Sequence, residues 1–317
     1  MKKDFKPVSK FETLLMTKEE LIEYYRDLRE YVYLKNEKIK GIKVRKAIYP
    51  IIKKFLTIQR KLNGRDLKIL GNKATIPEER PIIYSISHIG RFDLESVCEI
   101  LPTNAYMFCG DPETMYRNLD GLAANLNGVI YVDTDSKTDR HVAKEMAVRL
   151  LNQGGDLLIY PEGTWNLEEC RPILHLYPGV IEMAYRTNAT IIPISLEQYG
   201  NDFVANIGEN FEVSQYIPTG SYNKETEAQA KSALRDVMAS LKWEIWENAN
   251  TTQRNEISSA NYEEIVDKRL SEFPVYTREV LKHRTYREKN ETPPEEVYQF
   301  VKKLNPSKEN AFLLRKK

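Results

Sequence analysis

A histidine and an aspartate five positions apart are the side chains best suited to act together, His88 and Asp93. A carboxylate that orients an imidazole makes a general base. The pair cannot meet within regular structure, because five helical steps of about 100° leave the two side chains roughly 140° apart. An odd offset along a strand puts them on opposite faces. The chain must therefore turn between them, and Gly90 permits such a turn.

The flanking residues predict where this pair lies. Residues 81–87 predict a strand, and residues 93–100 predict the start of a helix. Sites commonly lie at such a corner of an α/β sheet, outside the carboxyl end of a strand. An alternative stays open, in which Asp93 only caps the helix and His88 is a polar residue at the end of the strand.

A second apolar strand ends in a loop that carries another carboxylate. Residues 155–160 predict a buried strand, which a Pro-Glu-Gly sequence centred on Glu162 ends sharply. Further strands are predicted at 127–133 and 190–195. Strands that alternate with helices predict the α/β class. We expect a central mixed, largely parallel sheet flanked by helices, with helical N-terminal and C-terminal extensions.

Four short motifs in this order resemble those of the glycerolipid acyltransferases, the family that includes the lysophosphatidic acid acyltransferases. The motifs are residues 88–93, 128–133, 160–164 and 192–194. The resemblance covers about residues 66–215. It implies transfer of a fatty acyl chain from acyl-CoA or acyl carrier protein to a hydroxyl of a lysophospholipid-type acceptor, by default 1-acylglycerol-3-phosphate.

The resemblance also implies roles for individual side chains. His88 takes the proton of the acceptor hydroxyl as that oxygen attacks the thioester, and Asp93 holds the tautomer and stabilises the imidazolium. No serine or cysteine nucleophile is required, because the acceptor itself attacks. Backbone N–H groups near Gly163 are expected to help bind the oxyanion. The residues expected to contact the substrate are Glu162, Gly163, Thr164, Trp165 and Arg91.

The chain departs from the family pattern where the family carries arginines associated with the acceptor phosphate. Thr134 follows the second motif and Trp165 follows the third, and neither replaces a guanidinium. The acyl-transfer chemistry is therefore better supported than the phosphorylated acceptor, and a non-phosphate acceptor such as a glycolipid is an alternative. Arg91, Arg140 and Arg171 either supply positive charge from other positions or are ordinary surface arginines.

Residues 38–65 are basic and amphipathic, with ten basic residues and no acidic one. Pro50 is expected to kink or divide the helix there. The apolar side chains of this helix form a stripe, which either lies in the headgroup layer of an anionic membrane or packs on the catalytic domain. Its apolar residues recur at spacings of four and three, which predicts a helix: Val44, Ile48, Ile51, Phe55, Ile58 and Leu62.

Composition narrows the class of protein. The chain has 317 residues, of which 41% are hydrophobic, enough for a sizeable core, and its formal net charge of +1 does not indicate nucleic acid. Neither nucleotide-binding glycine pattern is present. The cysteines and histidines show no metal-ligand spacing, so we expect no metal and no cofactor beyond the acyl thioester as co-substrate.

Location is predicted from what the sequence lacks. The first residues are not followed by the apolar core of a signal peptide, and no apolar stretch approaches the ~20 residues needed to span a bilayer. The three cysteines fit reduced thiols in the cytosol. We therefore expect a cytoplasmic enzyme of phospholipid biosynthesis, associated with the inner face of the membrane through residues 38–65 if at all.

The predicted division is a helical N-terminal region at 1–65, an acyltransferase α/β domain at 66–220 and a helical C-terminal region at 221–317. The C-terminal region contains a long charged helix at 224–248 and a short helix that begins after Thr292.

Two rival functions stay open. One is a serine hydrolase that uses Ser85 or Ser87, although no Gly-x-Ser-x-Gly elbow is present. The other is a non-catalytic membrane-surface or lipid-binding protein that kept the fold.

Overall fold

The computed structural model describes residues 5–110, 124–169, 171–248, 259–273 and 275–287. Cys170 and the helix predicted after Thr292 lie outside these residues.

The described chain alternates strands and helices between two helical ends. The helices are α1 Lys10–Leu15, α2 Lys18–Leu34, α3 Ile42–Leu62, α4 Asp93–Ile100, α5 Lys137–Asn152, α6 Gly179–Thr187, α7 Lys224–Asn248, α8 Ser259–Ser271 and α9 Arg278–Arg284. The strands are β1 Leu67–Asn72, β2 Ile82–Ile86, β3 Ala105–Cys109, β4 Val129–Tyr131, β5 Asp156–Ile159, β6 Thr190–Tyr199 and β7 Asp202–Ile207.

The strands form one seven-stranded sheet in the order β1-β7-β6-β2-β5-β3-β4. Strands β6 and β7 pair antiparallel, and the other neighbours pair parallel. The predicted mixed, largely parallel sheet flanked by helices is therefore confirmed, as are the helical extensions. Because β2 and β5 are parallel neighbours, their carboxyl ends lie at the same edge.

Apolar residues cover both faces of the sheet. Successive β2 residues point to opposite faces, so Ile83 joins one core while Ile82 and Tyr84 join the other. The first core is completed by helices such as α5, α6 and α7, and the second by α3 and α4. Burial on both faces explains why β2 carries apolar side chains at the consecutive positions 82–84.

Helix α3 packs against α4 through the face opposite its predicted apolar stripe. The Tyr49 hydroxyl donates to the Cys98 carbonyl at 2.6 Å, and Arg60 pairs with Glu99 at 2.8 Å. Pro50 lies inside this single helix and does not divide it. The exposed side chains are Val44, Ile51, Phe55, Ile58 and Leu62. The interpretation that the stripe packs on the catalytic domain is therefore wrong.

The helix predicted at 224–248 is present with those bounds as α7. It packs on β6, where the Ser195 hydroxyl donates to the Met238 carbonyl at 2.7 Å. Within the described part of the chain, no helix is both long and apolar enough to cross a bilayer. The division into regions at 65 and 220 stays a prediction.

Candidate active site

His88 and Asp93 meet just beyond the carboxyl end of β2. The chain turns after Ile86, and α4 begins at Asp93. His88 Nδ1 lies 2.7 Å from Asp93 Oδ2. Against an ionised carboxylate, which can only accept hydrogen bonds, a neutral imidazole places its proton on Nδ1 and leaves its lone pair on Nε2. The two side chains that the sequence singled out are thus in contact, and their catalytic role stays a prediction.

The carboxylate of Asp93 belongs to the turn and does not cap the helix. Oδ2 also accepts the backbone N–H groups of Ile89 at 3.1 Å and Gly90 at 3.4 Å. The capping position is Phe92, which makes no side-chain cap, so the alternative role of Asp93 as a mere cap does not hold. The Asp93 side chain is 2% exposed and that of His88 is 19% exposed. The imidazole therefore remains accessible while its partner is buried.

Tyr160 follows β5 and contacts both members of this pair. Its ring stacks on the His88 imidazole, with centroids 4.0 Å apart and planes 14° apart. Its hydroxyl donates to Asp93 Oδ1 at 3.3 Å. Desolvation, helped by the Asp93 charge, raises the pKa of Tyr160 well above its usual value. The hydroxyl therefore stays protonated and acts as a donor.

Glu162 lies beneath the histidine and is completely buried. Its two oxygens accept the His88 N–H at 3.0 Å and the Leu174 N–H at 2.7 Å. Burial raises the pKa of Glu162 to about 7, although both N–H donors and Lys242 oppose this. The carboxylate thus holds the backbone of the histidine. Its predicted contact with an acceptor stays a prediction.

Gly163 and Thr164 form the bend after Glu162. Gly163 is exposed and has φ of +70°, and its N–H donates to the Tyr160 carbonyl at 3.0 Å. That N–H is therefore engaged and is not available to an oxyanion in this conformation. Thr164 is buried, and its hydroxyl has no hydrogen-bond partner within the described chain. Substrate contact by either residue stays a prediction.

Trp165 joins the histidine to the C-terminal helices. Its ring lies edge-on to the His88 imidazole, with centroids 6.1 Å apart. On its other side it packs against Tyr276 at 4.6 Å and Phe273 at 6.2 Å. Trp165 is 4% exposed, so any acceptor contact would be confined to a small part of the ring.

Residues 272–273 and 275–287 of the C-terminal region approach the same edge of the sheet. Arg91 donates to the Glu272 carbonyl at 2.8 Å, and the Tyr177 hydroxyl donates to the Arg284 carbonyl at 2.8 Å. These bonds attach the segment on both sides of the histidine. The predicted substrate role of Arg91 stays a prediction, since the structure gives it this backbone acceptor.

The serines named by the hydrolase alternative are buried in the sheet. Ser87 accepts the Leu196 N–H at 2.9 Å and donates to the Leu196 carbonyl at 3.3 Å. Ser85 donates to the Met238 sulfur at 3.3 Å. Both are 0% exposed, which leaves neither hydroxyl free to attack a substrate.

One of the three arginines considered as sources of positive charge, Arg140, lies near the bend, together with Arg284 of α9. Desolvation raises the pKa of Tyr177, and the charges of Arg140 and Arg284 act against that rise. The Tyr177 ring lies directly against Gly163. Arg140 also donates to the Thr134 carbonyl, whereas Arg171 pairs with Glu168 at 3.6 Å farther along the loop that carries the bend.

Sequence reasoning missed the aromatic partners of this site. Tyr160 begins the third motif, and its hydroxyl at a strand end beside Glu162 is the signal that could have identified it. The contacts of Phe273 and Tyr276 with Trp165 could not be predicted from the sequence. They join residues about a hundred positions apart, and no local sequence pattern indicates such a contact.

Comparison with known proteins identifies the central domain. Residues 69–197 match the sequence model of the family described as Acyltransferase. A curated 1-acyl-sn-glycerol-3-phosphate acyltransferase from Borreliella burgdorferi is 33% identical over 90 residues, which are 28% of this chain and 35% of the relative. The chain thus matches about a third of that relative's length.

One solved structure has a partial likeness to this chain. The crystal structure of the 1-acyl-sn-glycerophosphate (LPA) acyltransferase PlsC from Thermotoga maritima has a TM-score of 0.48 and 16% identity. The alignment covers 69% of this chain and 89% of that chain. The family match lies inside the span of residues 66–215 expected from the motifs. Residues 69–197 therefore match an acyltransferase domain, and part of the chain is similar to a lysophosphatidic acid acyltransferase.

Proposed function

We propose that this chain is an O-acyltransferase that moves a fatty acyl group from acyl-CoA or acyl carrier protein to a hydroxyl of a lysophospholipid-type acceptor. One observation carries the proposal. An accessible imidazole is held at 2.7 Å by a buried carboxylate, inside an acyltransferase domain. A base of this kind activates an alcohol, and the thioester supplies the acyl group.

The proposed reaction is a direct transfer. His88 Nε2 removes the proton of the acceptor hydroxyl while that oxygen attacks the thioester carbonyl carbon. The carbon–oxygen bond of the ester forms and the carbon–sulfur bond breaks. The leaving thiolate takes the proton back from the imidazolium, which Asp93 stabilises meanwhile. The burial of Ser85 and Ser87 supports a mechanism without an acyl-enzyme intermediate.

A negatively charged acceptor is favoured over a neutral one. The guanidinium groups of Arg140 and Arg284 both act on the Tyr177 hydroxyl beside Gly163. A phosphate at this side of the loop would lie in the field of both positive charges, and arginine suits phosphate. We therefore keep 1-acylglycerol-3-phosphate as the default acceptor, and a glycolipid as the alternative.

The proposal is tested by thiol release from an acyl thioester, measured with 1-acylglycerol-3-phosphate, its dephosphorylated counterpart and a glycolipid. Release that depends on the phosphorylated acceptor is expected. His88→Ala should lower kcat by roughly 10³-fold or more, because the base is lost. The matched control is His141→Ala, which removes an exposed histidine on α5 and should retain the wild-type rate.

Three other results would contradict the assignment. Full turnover by His88→Ala would exclude it as the base. Release of fatty acid without an acceptor would favour a hydrolase. Vesicle binding without turnover of any acceptor would favour a lipid-binding protein.

We also propose that α3 contacts the membrane surface peripherally. Its exposed apolar stripe, defined by Val44, Ile51, Phe55, Ile58 and Leu62, has no cover within the described chain. Three exposed lysines follow one flank of the stripe, Lys43, Lys54 and Lys61. A basic amphipathic helix with an open apolar face suits anionic headgroups.

Sedimentation with vesicles tests this contact. Binding to anionic vesicles should exceed binding to zwitterionic vesicles and should weaken with salt. Phe55→Glu should reduce anionic-vesicle binding by roughly tenfold or more, since it removes a large exposed apolar group that would enter the membrane surface. Ile76→Glu makes the same kind of change at an exposed site away from the stripe and serves as control. Equal binding by the two variants would argue against α3 as the contact.

A further inference from the structure

The two oxygens of Asp93 have different side-chain partners, and Oδ2 also accepts the backbone N–H groups of the turn. Oδ2 takes the His88 Nδ1–H at 2.7 Å, while Oδ1 takes the Tyr160 hydroxyl at 3.3 Å. A carboxylate held at both oxygens cannot rotate about its terminal bond without breaking one of these interactions. The tyrosine therefore fixes the plane in which Asp93 addresses the imidazole.

The same tyrosine restrains the imidazole directly. The stack at 4.0 Å leaves one face of the His88 ring covered, and Trp165 approaches from the side. Rotation of the imidazole out of the Asp93 hydrogen bond would bring it into the tyrosine ring. Both constraints come from one residue at the end of β5, opposite the end of β2.

We propose that Tyr160 is a positioning residue that sets both the orientation and the basicity of His88 through its bond to Asp93. The proposal rests on the proposed function, in which His88 is the base. By donating to Oδ1, the hydroxyl withdraws negative charge from the carboxylate and weakens its stabilisation of the imidazolium. The tyrosine thereby keeps more of the imidazole in the neutral form that accepts a proton.

Other ionisable groups face this cluster and stay in place when the hydroxyl is removed. Glu162 lies beneath the histidine backbone with Lys242 behind it, and Cys98 of α4 lies near the tyrosine. Burial raises the pKa of Cys98 to about 12, so this thiol stays neutral over the range in which histidine titrates.

The test is Tyr160→Phe, which keeps the stacked ring and removes only the hydroxyl. In the acyl-transfer assay kcat should fall by about three- to tenfold, with KM for the acceptor within about twofold. The acid limb of the pH profile of kcat/KM should move to higher pH by roughly half a unit, because Asp93 recovers its full charge. A purely structural role for the ring predicts no such movement.

The matched control is Tyr84→Phe. Tyr84 is a buried tyrosine of neighbouring strand β2, and its hydroxyl has no hydrogen-bond partner within the described residues. Loss of that hydroxyl should leave the pH profile unchanged. A movement equal to that of Tyr160→Phe would show that any buried hydroxyl lost from the sheet has this effect, and would overturn the proposal.

A measurement without turnover separates the two proposals. The four histidines can be followed by NMR, with His88 assigned by comparison with His88→Gln. In Tyr160→Phe the His88 titration midpoint should rise by roughly half a unit. A coincident or lower midpoint overturns the role of Tyr160 whether or not the protein transfers acyl groups. A raised midpoint in a protein that transfers none supports the role of Tyr160 and contradicts only the proposed function.

Discussion

The loops after β2 and after β5 each place a buried carboxylate against the same histidine, but the two carboxylates bind different parts of it. Asp93, from the β2 loop, binds the imidazole ring itself. Glu162, from the β5 loop, binds the backbone N–H of that residue and the N–H of Leu174. One carboxylate thus orients the side chain, and the other holds the main chain that carries it.

The two carboxylates should therefore affect different measured properties. The Asp93 oxygens face a group that changes charge during the proposed reaction, so its effect should appear in the rate. The Glu162 oxygens face amides that never change charge, so its effect should appear first in the stability of the loop and only indirectly in the rate. Variants of the two loops should therefore differ in kind as well as in size.

The largest effect is expected from Asp93→Asn. The asparagine amide carries no charge, so it cannot stabilise the imidazolium even when its oxygen accepts from Ile89 and Gly90. When its NH₂ faces Nδ1 instead, it favours the histidine tautomer that has the proton on Nε2. By analogy with orienting aspartates in general, kcat should fall by roughly 10³- to 10⁴-fold. Steady-state kinetics and thermal unfolding, measured on the same preparation, check this expectation.

The control for that experiment is Asp139→Asn. Asp139 is also buried at the start of a helix, but it pairs with Arg29 at 2.7 Å and has no contact with His88 in the described structure. Its amide variant should lose stability and keep most of its kcat. If both variants lost the same fraction of activity, the special position of Asp93 would be refuted.

A smaller loss of rate is expected from Glu162→Gln. One of the two N–H donors would face the amide NH₂, which shifts the backbone beneath His88. A displacement on the order of 1 Å in a catalytic group lowers the rate by up to roughly a hundredfold. A fall in kcat as large as that of Asp93→Asn would contradict the division of labour between the two loops.

The stability of Glu162→Gln should also depend on pH in a definite direction. The pKa of Glu162 is raised by burial to about 7, so the folded wild type retains this proton above the ordinary value of 4.5. The proton's contribution to folding is complete below pH 4.5 and is lost as the pH rises through about 7. The wild type should therefore lose stability relative to the variant across this window, by an amount on the order of 3 kcal/mol at most.

Denaturant unfolding of both proteins at pH 5 and pH 8 measures this difference. A difference in free energy of unfolding that stays constant between the two pH values would mean that Glu162 ionises normally in the folded protein.

Local patterns were sufficient to predict the sheet and the position of the central pair. Strand β2 and helix α4 lie where their apolar residues indicated. A strand that is buried on both faces of a parallel sheet needs apolar residues at successive positions, and the sequence shows this pattern. The contact of His88 with Asp93 was also foreseeable, since a turn between a strand and a helix leaves few other arrangements.

Contacts that depend on the tertiary structure were not foreseeable. The periodicity of α3 showed an apolar stripe at Phe55 and Ile58, but not that Tyr49 on the opposite face makes the packing contact. The approach of Tyr276 to Trp165 joins residues far apart in sequence. The spacing of apolar residues predicts which of them share one face of a helix. It does not predict which face packs against the rest of the protein.

The smallest and sharpest contrast concerns the glycine in each loop. The sequence suggested that Gly90 permits the turn after β2, yet its backbone is not in the left-handed region, and an added Cβ would meet only Gln198 Oε1 at 3.7 Å. Gly163 has φ of +70°, and an added Cβ would lie 2.5 Å from the Tyr177 ring.

Gly163→Ala should therefore cost about 1–3 kcal/mol of stability, whereas Gly90→Ala should stay within about 0.5 kcal/mol of wild type. Thermal unfolding of the two variants side by side checks the order, and the reverse order would mean that the loop after β2, and not the bend after Glu162, depends on the freedom of a glycine.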